Sequence, residues 1–291
     1  MSLTLALQLA IAGISVGSIY ALVALAIVIP FKSSGVLNFG QGEIVTFGAY
    51  AALILTQLAL PYPVVLVSVL ALGALGGIVI ERLLVRPIVK APEFTLVIAT
   101  FAIGLLIKGA ISIHFGDSPN SIDGPFGNDP LVAAGLRFNP TSLWIFACTA
   151  LVTIGVMAFF RWTRLGKAMR AVSVNPEAAR LMGIRVETVY RWSWAISTAI
   201  GALAGLLVAP LIGINPEIGQ LLLRGLLGAV IGGFTSIPGA IVGGVAVGLI
   251  ETYSGVFVGS TFKNLVPFIL LMGLLVFRPQ GLFGAAEIKR V

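Results

Sequence analysis

Apolar residues run along this chain in long, nearly unbroken stretches separated by short polar intervals. About 20 consecutive apolar residues read as a membrane-spanning helix, because that length at helical rise crosses a hydrocarbon core of about 30 Å. The first run, Leu3 to Ile29, carries Gly13, Gly17 and Ser18, small residues that allow close helix contact, and Pro30 is expected to end it. Further runs cover Val64 to Val85, Phe94 to Phe115, Ser142 to Phe160, Trp192 to Ile212, Ile237 to Val258 and Phe262 to Phe277. Two segments depart from the pattern. Val36 to Leu60 opens on Asn38-Phe39-Gly40-Gln41-Gly42-Glu43 before turning apolar. This predicts a broken or re-entrant entry, which membrane depth tolerates only against protein or a cavity. Gln220 to Phe234 is short and carries Arg224, which leaves open a full helix, a half-helix or a re-entrant element. Pro61-Tyr62-Pro63 reads as a turn and Asn215-Pro216 as a break. The predicted fold class is all-α: a polytopic transmembrane helical bundle of about eight to nine spans, with one or two broken or re-entrant segments, in a single domain over residues 1–291.

The polar intervals assign sides. Residues 116–140 are rich in Gly, Pro, Asn, Asp and Ser, with Asp117, Asp123 and Asp129 against Arg137, and read as an exposed loop without its own core. Residues 161–191 hold Arg161, Arg164, Lys167, Arg170, Arg180, Arg185 and Arg191 against Glu177 and Glu187. Short cytoplasmic loops are enriched in Lys and Arg, so the 161–191 loop is expected in the cytoplasm. Arg82, Arg86 and Lys90 then fall on the same side and the acidic 116–140 loop outside. Nine crossings put the N-terminus outside and the tail with Lys289 and Arg290 inside; eight leave a conflict at one end, so nine are preferred.

Within the basic interval lies Asn175-Pro176-Glu177-Ala178-Ala179-Arg180-Leu181-Met182-Gly183. Asparagine suits an N-cap, proline the first helical position, glutamate the positive end and glycine the residue just past the C-terminus. The segment predicts a helix of about seven residues, roughly 10 Å, too short to span and so placed outside the bilayer as a rigid knob.

Composition fixes the class of protein. With 58% hydrophobic residues, 10% charged and a mean hydropathy of +1.07, the chain has more apolar surface than a soluble core of this length can hide. The net charge of +7 sits between apolar runs and forms no single stripe, so nucleic acid is not an expected partner and the lipid bilayer is. The single cysteine, Cys148, excludes an internal disulfide and paired-thiol metal sites and reads as packing. The first basic residue is Lys32, beyond the first run, so that run is expected to remain as a helix and not to be removed as a secretory signal.

Polar groups at membrane depth that face the bundle interior are the candidates for a path: Asn38, Gln41, Glu43, Lys108, Arg224 and Glu251. Lys108 and Arg224 are expected to snorkel to the headgroups, Asn38 to Glu43 to face a cavity, and Glu251 stands between a cavity and an interface role. His114 reads as a solvated loop residue. The glycine-rich Gly232-Gly233-Phe234-Thr235-Ser236-Ile237-Pro238-Gly239, with Gly243-Gly244, lacks the Gly-Lys-Ser/Thr ending of a phosphate loop and reads as a tight turn between packed helices. No Ser/His/Asp set, paired catalytic carboxylates or metal-ligand spacing occurs, so no catalytic residue, metal or cofactor is expected and the chain does not read as an enzyme.

Glu177-Ala178-Ala179 followed by Gly183 resembles the cytoplasmic loop of ABC importer permeases, whose short helix seats in a cleft of the ATPase subunit, a helix-in-groove mode. Val36 to Tyr50, Ser236-Ile237-Pro238-Gly239 and the Arg278-Pro279-Gln280-Gly281-Leu282-Phe283 ending are similar to stretches of the branched-chain amino acid ABC permease family, specifically the first of its two paired permeases. The resemblance implies a heterodimer with a second permease, two cytoplasmic ATPase subunits that bind the ATP, a periplasmic substrate-binding protein and the bacterial inner membrane. It also implies that Asn175 to Ile184 (Asn175, Pro176, Glu177, Ala178, Ala179, Arg180, Leu181, Gly183 and Ile184) form the ATPase-docking element and that Asn38 to Glu43 line the conduit; with Glu251 from the polar residues at depth, the translocation-path candidates are Asn38, Gln41, Glu43 and Glu251. Members also move urea, short amides or aromatic acids, and the matched motifs do not separate these solutes. From another class, a stand-alone secondary transporter or channel also suits interrupted helices and a glycine-rich crossing.

Overall fold

The computed structural model describes residues 3–89, 91–116, 118–127, 131–133, 136–259, 262, 265–278 and 280–284. Lys90, Asp117, Asp129, Pro279, Lys289 and Arg290 lie outside the described residues, as does the side chain of Arg137.

Helix α1 (Leu3–Ser34) continues through Pro30 instead of ending there. A proline inside a helix lacks the N–H that would serve the carbonyl four residues earlier, here that of Ala26. The Ser197 hydroxyl of a neighbouring helix donates to that carbonyl, so the missing bond is replaced from outside. The Ser33 and Ser34 hydroxyls bond back to the Pro30 carbonyl at 3.2 and 2.7 Å, and the helix stops at Gly35, whose φ is +71°.

After a non-helical return over residues 36–40 that ends in a turn, α2 (Gln41–Gln57) begins inside the bundle, so the expected broken entry is a helix of 17 residues with an irregular approach. Pro61-Tyr62-Pro63 is less a turn than a helix start. Pro61 is the N-cap and the next two residues open α3 (Tyr62–Ile80), which runs on through a π turn (Glu81–Val85) into α4 (Arg86–Ile88). Lys108 does not interrupt α5 (Glu93–Phe115).

The 116–140 segment is more ordered than an exposed loop. β1 (Leu131–Ala133) and β2 (Leu136–Phe138) pair antiparallel with Leu131 opposite Phe138. Ile122 is buried, and Asn120 exchanges two backbone hydrogen bonds with Ile214, at 2.8 and 2.7 Å.

α6 (Pro140–Trp162) leads to α7 (Arg164–Val174) and α8 (Pro176–Leu181), and α9 (Val186–Ile212) takes in the last part of the basic interval. A 3-10 turn (Pro216–Gln220) precedes α10 (Leu221–Gly232). At 12 residues, about 18 Å, α10 is the half-helix among the three alternatives. α11 (Ile237–Phe257) and the 13-residue α12 (Leu265–Phe277) complete the chain. Among the described residues six helices are long and apolar enough to cross a membrane: α1, α3 with its extension, α5, α6, α9 and α11.

Small residues set the packing. Gly17 and Gly244 leave no room for a Cβ against Val245 and Ala21, which brings α1 and α11 into backbone contact. Gly48 against Ala202 does the same for α2 and α9. A hydroxyl seam joins α1 to α9: Ser33 and Ser193 hydrogen-bond each other, and Ser193 donates to the Ile29 carbonyl at 3.1 Å.

Contacts define two ends. At one, the Phe31 and Phe234 rings lie 5.2 Å apart, Lys32 donates to the Thr235 carbonyl, and Leu282 and Phe283 donate to the carbonyls of Ile231 and Gly232. At the other, Trp144 donates to Tyr62, Tyr253 donates to the Ala6 carbonyl, and Asn120 pairs with Ile214. α7 and α8 belong to the first end and the 116–140 loop to the second.

Candidate functional site

The corner that launches the basic segment is built at Thr163. Its hydroxyl donates to the Phe159 carbonyl at 2.7 Å while accepting from the Gly166 N–H at 2.9 Å, so it closes α6 and caps α7 together. Gly166 abuts the Phe159 backbone too closely for any side chain. Met169 and Val172 are buried, and Lys167 and Arg170 face out.

Asn175 separates α7 from α8. Its Oδ1 accepts from the N–H groups of Glu177 and Ala178 at 2.9 and 3.0 Å, with Pro176 at the first helical position. At the other end the Gly183 N–H bonds to the Arg180 carbonyl and the Ile184 N–H to the Ala179 carbonyl, both at 3.0 Å, with Gly183 at φ +83°. This crossed pair is the Schellman closure that a left-handed glycine permits.

The short helix has two unlike faces. Ala179 is buried and joins the main core, with Ile184 partly buried beside it. Glu177 and Ala178 are exposed, as are Val174 at 87%, Leu181 at 90% and Met182 at 83%. Of the two alanines only Ala178 faces outward. Val174, Leu181 and Met182 leave large apolar side chains on the outer side of this segment.

A line of charges runs from α8 into the bundle. Arg180 pairs with Glu187 in the first turn of α9 at 3.0 Å, and Arg191, one turn on, approaches the Glu81 carboxylate at 3.9 Å. Glu81 is 1% exposed and stands in the π turn of the α3 segment. The exposed Arg180–Glu187 pair contributes little energy; α8 is held on the bundle by buried Ala179.

The polar groups at depth fall into three clusters. Asn38 and Gln41 are buried and tie the irregular approach to α9. Asn38 accepts from the Gly40 N–H and donates to Gln41 Oε1 at 2.9 Å, and that oxygen also accepts from Ser197 at 3.3 Å. Thr100 of α5 accepts from the Phe39 N–H at 3.2 Å. Glu43 is half-buried against Gly104 and Gly219, with Oε2 lacking a hydrogen-bond partner among the described residues.

Lys108 pairs with Glu217 at 2.7 Å in an exposed setting, and Gln220 donates to the same carboxylate at 2.6 Å. Arg224 turns inward instead of snorkelling, its Nε 3.2 Å from Glu251 Oε2, which also accepts from Tyr20 at 2.8 Å. A buried carboxylate lies within its reach, and pairing costs less than holding a lone cation at depth. Glu251 is thereby a buried link between α1, α10 and α11.

His114 is exposed at the end of α5, and Cys148 is buried packing. The glycine-rich element is the turn between α10 and α11, where Gly232 meets Gly239 and Gly228 meets Gly244 with no room for a Cβ. No group of three His, Cys, Asp or Glu suited to a metal occurs among the described residues.

Sequence reasoning missed Tyr20, Thr100, Ser193, Ser197, Glu81 and Arg191 as network members. The four-residue spacing of Ser193 and Ser197 in an apolar run was a readable sign of one shared helix face.

An integral membrane bundle that keeps a broken helix and paired charges inside, and projects a doubly capped helix from one end, has the features of a transport permease. The chain belongs to the branched-chain amino acid transport system / permease component family, whose model matches residues 9–275. It is 28% identical over 296 residues to the high-affinity branched-chain amino acid transport system permease protein LivH of Salmonella typhimurium, covering 96% of each chain. It is 30% identical to the corresponding permease protein BraD of Pseudomonas aeruginosa over 98% of each chain. It is 31% identical to the probable branched-chain amino acid transport permease protein LivH of Methanocaldococcus jannaschii, over 93% of this chain and 90% of the relative. No solved structure matches the chain.

Proposed function

We propose that this chain is the permease subunit of an ABC importer that carries branched-chain amino acids across the bacterial inner membrane. It forms one permease domain over residues 1–291, with the 161–191 loop in the cytoplasm and the 116–140 loop on the opposite face. The chain supplies the path and the lever. A second permease completes the path, two ATPase subunits supply the energy from ATP, and a periplasmic binding protein delivers the solute.

The observation that carries this reading is α8. Its outer surface of Ala178, Leu181 and Met182 is exposed, its inner residue Ala179 is anchored in the core, and Asn175 and Gly183 close its two ends. A helix held this way moves as a unit with α9, so a partner that grips it acts on the bundle. The names of the relatives support branched-chain amino acids as the solute.

The test replaces Glu177 and Gly183 and follows three quantities: membrane insertion, co-purification of the ATPase subunits and leucine uptake. Insertion should persist while the other two are lost. Retained co-purification and uptake would overturn the docking role. Uptake of urea or an amide in place of leucine by the unmodified complex would overturn the substrate class.

A further inference from the structure

At the same end of the bundle as α8, but on a separate surface, three cations meet around one cleft. Lys32 in the last turn of α1, Arg161 at the end of α6 and Arg170 on α7 line a cavity of about 870 Å³, together with the first residues of α11. Among the described residues no carboxylate lines it and none of the three is in an ion pair. The charges of Lys32 and Arg170 repel each other. The Lys32 ammonium gives one hydrogen bond, to the Thr235 carbonyl at 2.9 Å, and has further donors to offer. The 21-residue α11 starts here at Ser236–Ile237, so its positive end adds to the same field. Like charges gathered together cost energy that a bound anion recovers.

The rest of the lining says what kind of anion. Phe31 and Phe160 belong to the last turns of membrane-crossing helices, and Phe283 closes the cleft from the C-terminal segment. Trp162, 72% exposed, is the residue after Arg161, and exposed tryptophans at helix ends are enriched at membrane–water interfaces. The cavity thus joins a cationic pole to an apolar wall at headgroup depth, which suits an amphipathic ligand better than a free ion. We propose that this cleft binds the headgroup phosphate of an anionic phospholipid from the adjoining leaflet.

The test uses the full chain, purified and delipidated, titrated with short-chain phosphatidylglycerol, with phosphatidylcholine of the same chain length, and with inorganic phosphate, and read by native mass spectrometry. Phosphatidylglycerol should occupy one saturable site, and the Arg161→Gln/Arg170→Gln double variant should weaken it about tenfold or more. The Arg164→Gln/Lys167→Gln control carries the same net charge on neighbouring positions and should bind like the parent. Equal binding by the cleft double variant overturns the site, as does equal loss in the control. Inorganic phosphate binding as tightly as the lipid assigns the cleft to a free anion and overturns the lipid. Unchanged lipid binding with loss of ATPase co-purification in the cleft variant assigns it to a protein partner instead. Because lipid occupancy is read without transport or ATPase, its failure is distinct from failure of the importer reading.

Discussion

The helices of this bundle divide into two kinds that composition alone does not separate. In their most apolar stretches α1 is 78% buried and α9 72%, whereas the α3 segment and α5 are 22% buried and α6 28%. All have similar hydropathy, so burial here does not follow hydrophobicity. What differs is how many sides of each helix pack on other helices and carry hydrogen bonds. α1 and α9 are bridged by serines and packed on several sides, while the outer helices pack one small-residue face, as α3 does with Gly73 and Gly77, and present Val67, Leu75, Leu106, Ile113, Leu151 and Ile154 outward. Lipid is as apolar as leucine, so helices associate through close packing and hydrogen bonds, and large aliphatic residues are left for lipid or a partner subunit.

The largest effect should come from adjacent glycines on the packed and the outward face of α3. A Cβ at Gly77 would collide with the Trp194 backbone, while one at Gly76 would meet nothing. Gly77→Val should cost at least about 3 kcal/mol, and Gly76→Ala should change stability by less than about 1 kcal/mol. Unfolding of the two variants in detergent measures both, and equal effects would erase the distinction.

A second contrast is between interior and mouth. Glu251→Ala removes a 5%-exposed carboxylate from Arg224 and Tyr20 and should destabilise by about 2 to 3 kcal/mol, reduced from the fully buried case because Arg224 is 27% exposed. Glu217→Ala, whose pair with Lys108 is 58% and 32% exposed, should cost under about 1 kcal/mol. Comparable losses would mean the two pairs sit in similar surroundings.

A third probe isolates the proline. Ser197→Ala should cost about 1 kcal/mol, and this cost should shrink in a Pro30→Ala background, where residue 30 regains an N–H for the Ala26 carbonyl. A double-mutant cycle reads the coupling. The smallest stability change should follow Leu181→Asp on α8, within about 0.5 kcal/mol, while ATPase co-purification falls away. A large loss of stability there would show that Leu181 supports the bundle.

Much of this was legible in the chain. Asn175 and Gly183 mark their helix because capping is local: one side-chain oxygen and one left-handed residue decide it. The long helices were legible from run length. Pro30 was misread because its defect is repaired by Ser197, 167 positions away and invisible to a local pattern. Arg224 was misread for the same reason, since snorkelling or pairing depends on whether Glu251 comes within reach after folding. The order within residues 116–140 rests on a backbone pairing between Asn120 and Ile214, which no side-chain pattern announces.

The outward face of α12 has a consequence for assembly. Ile269, Met272, Val276 and Phe277 lie exposed along it. A row of large apolar side chains at the edge of a membrane bundle is covered by lipid tails or by a neighbouring subunit, and the two compete for it. Exchanging lipid for detergent around the complex should therefore disturb association at this edge first.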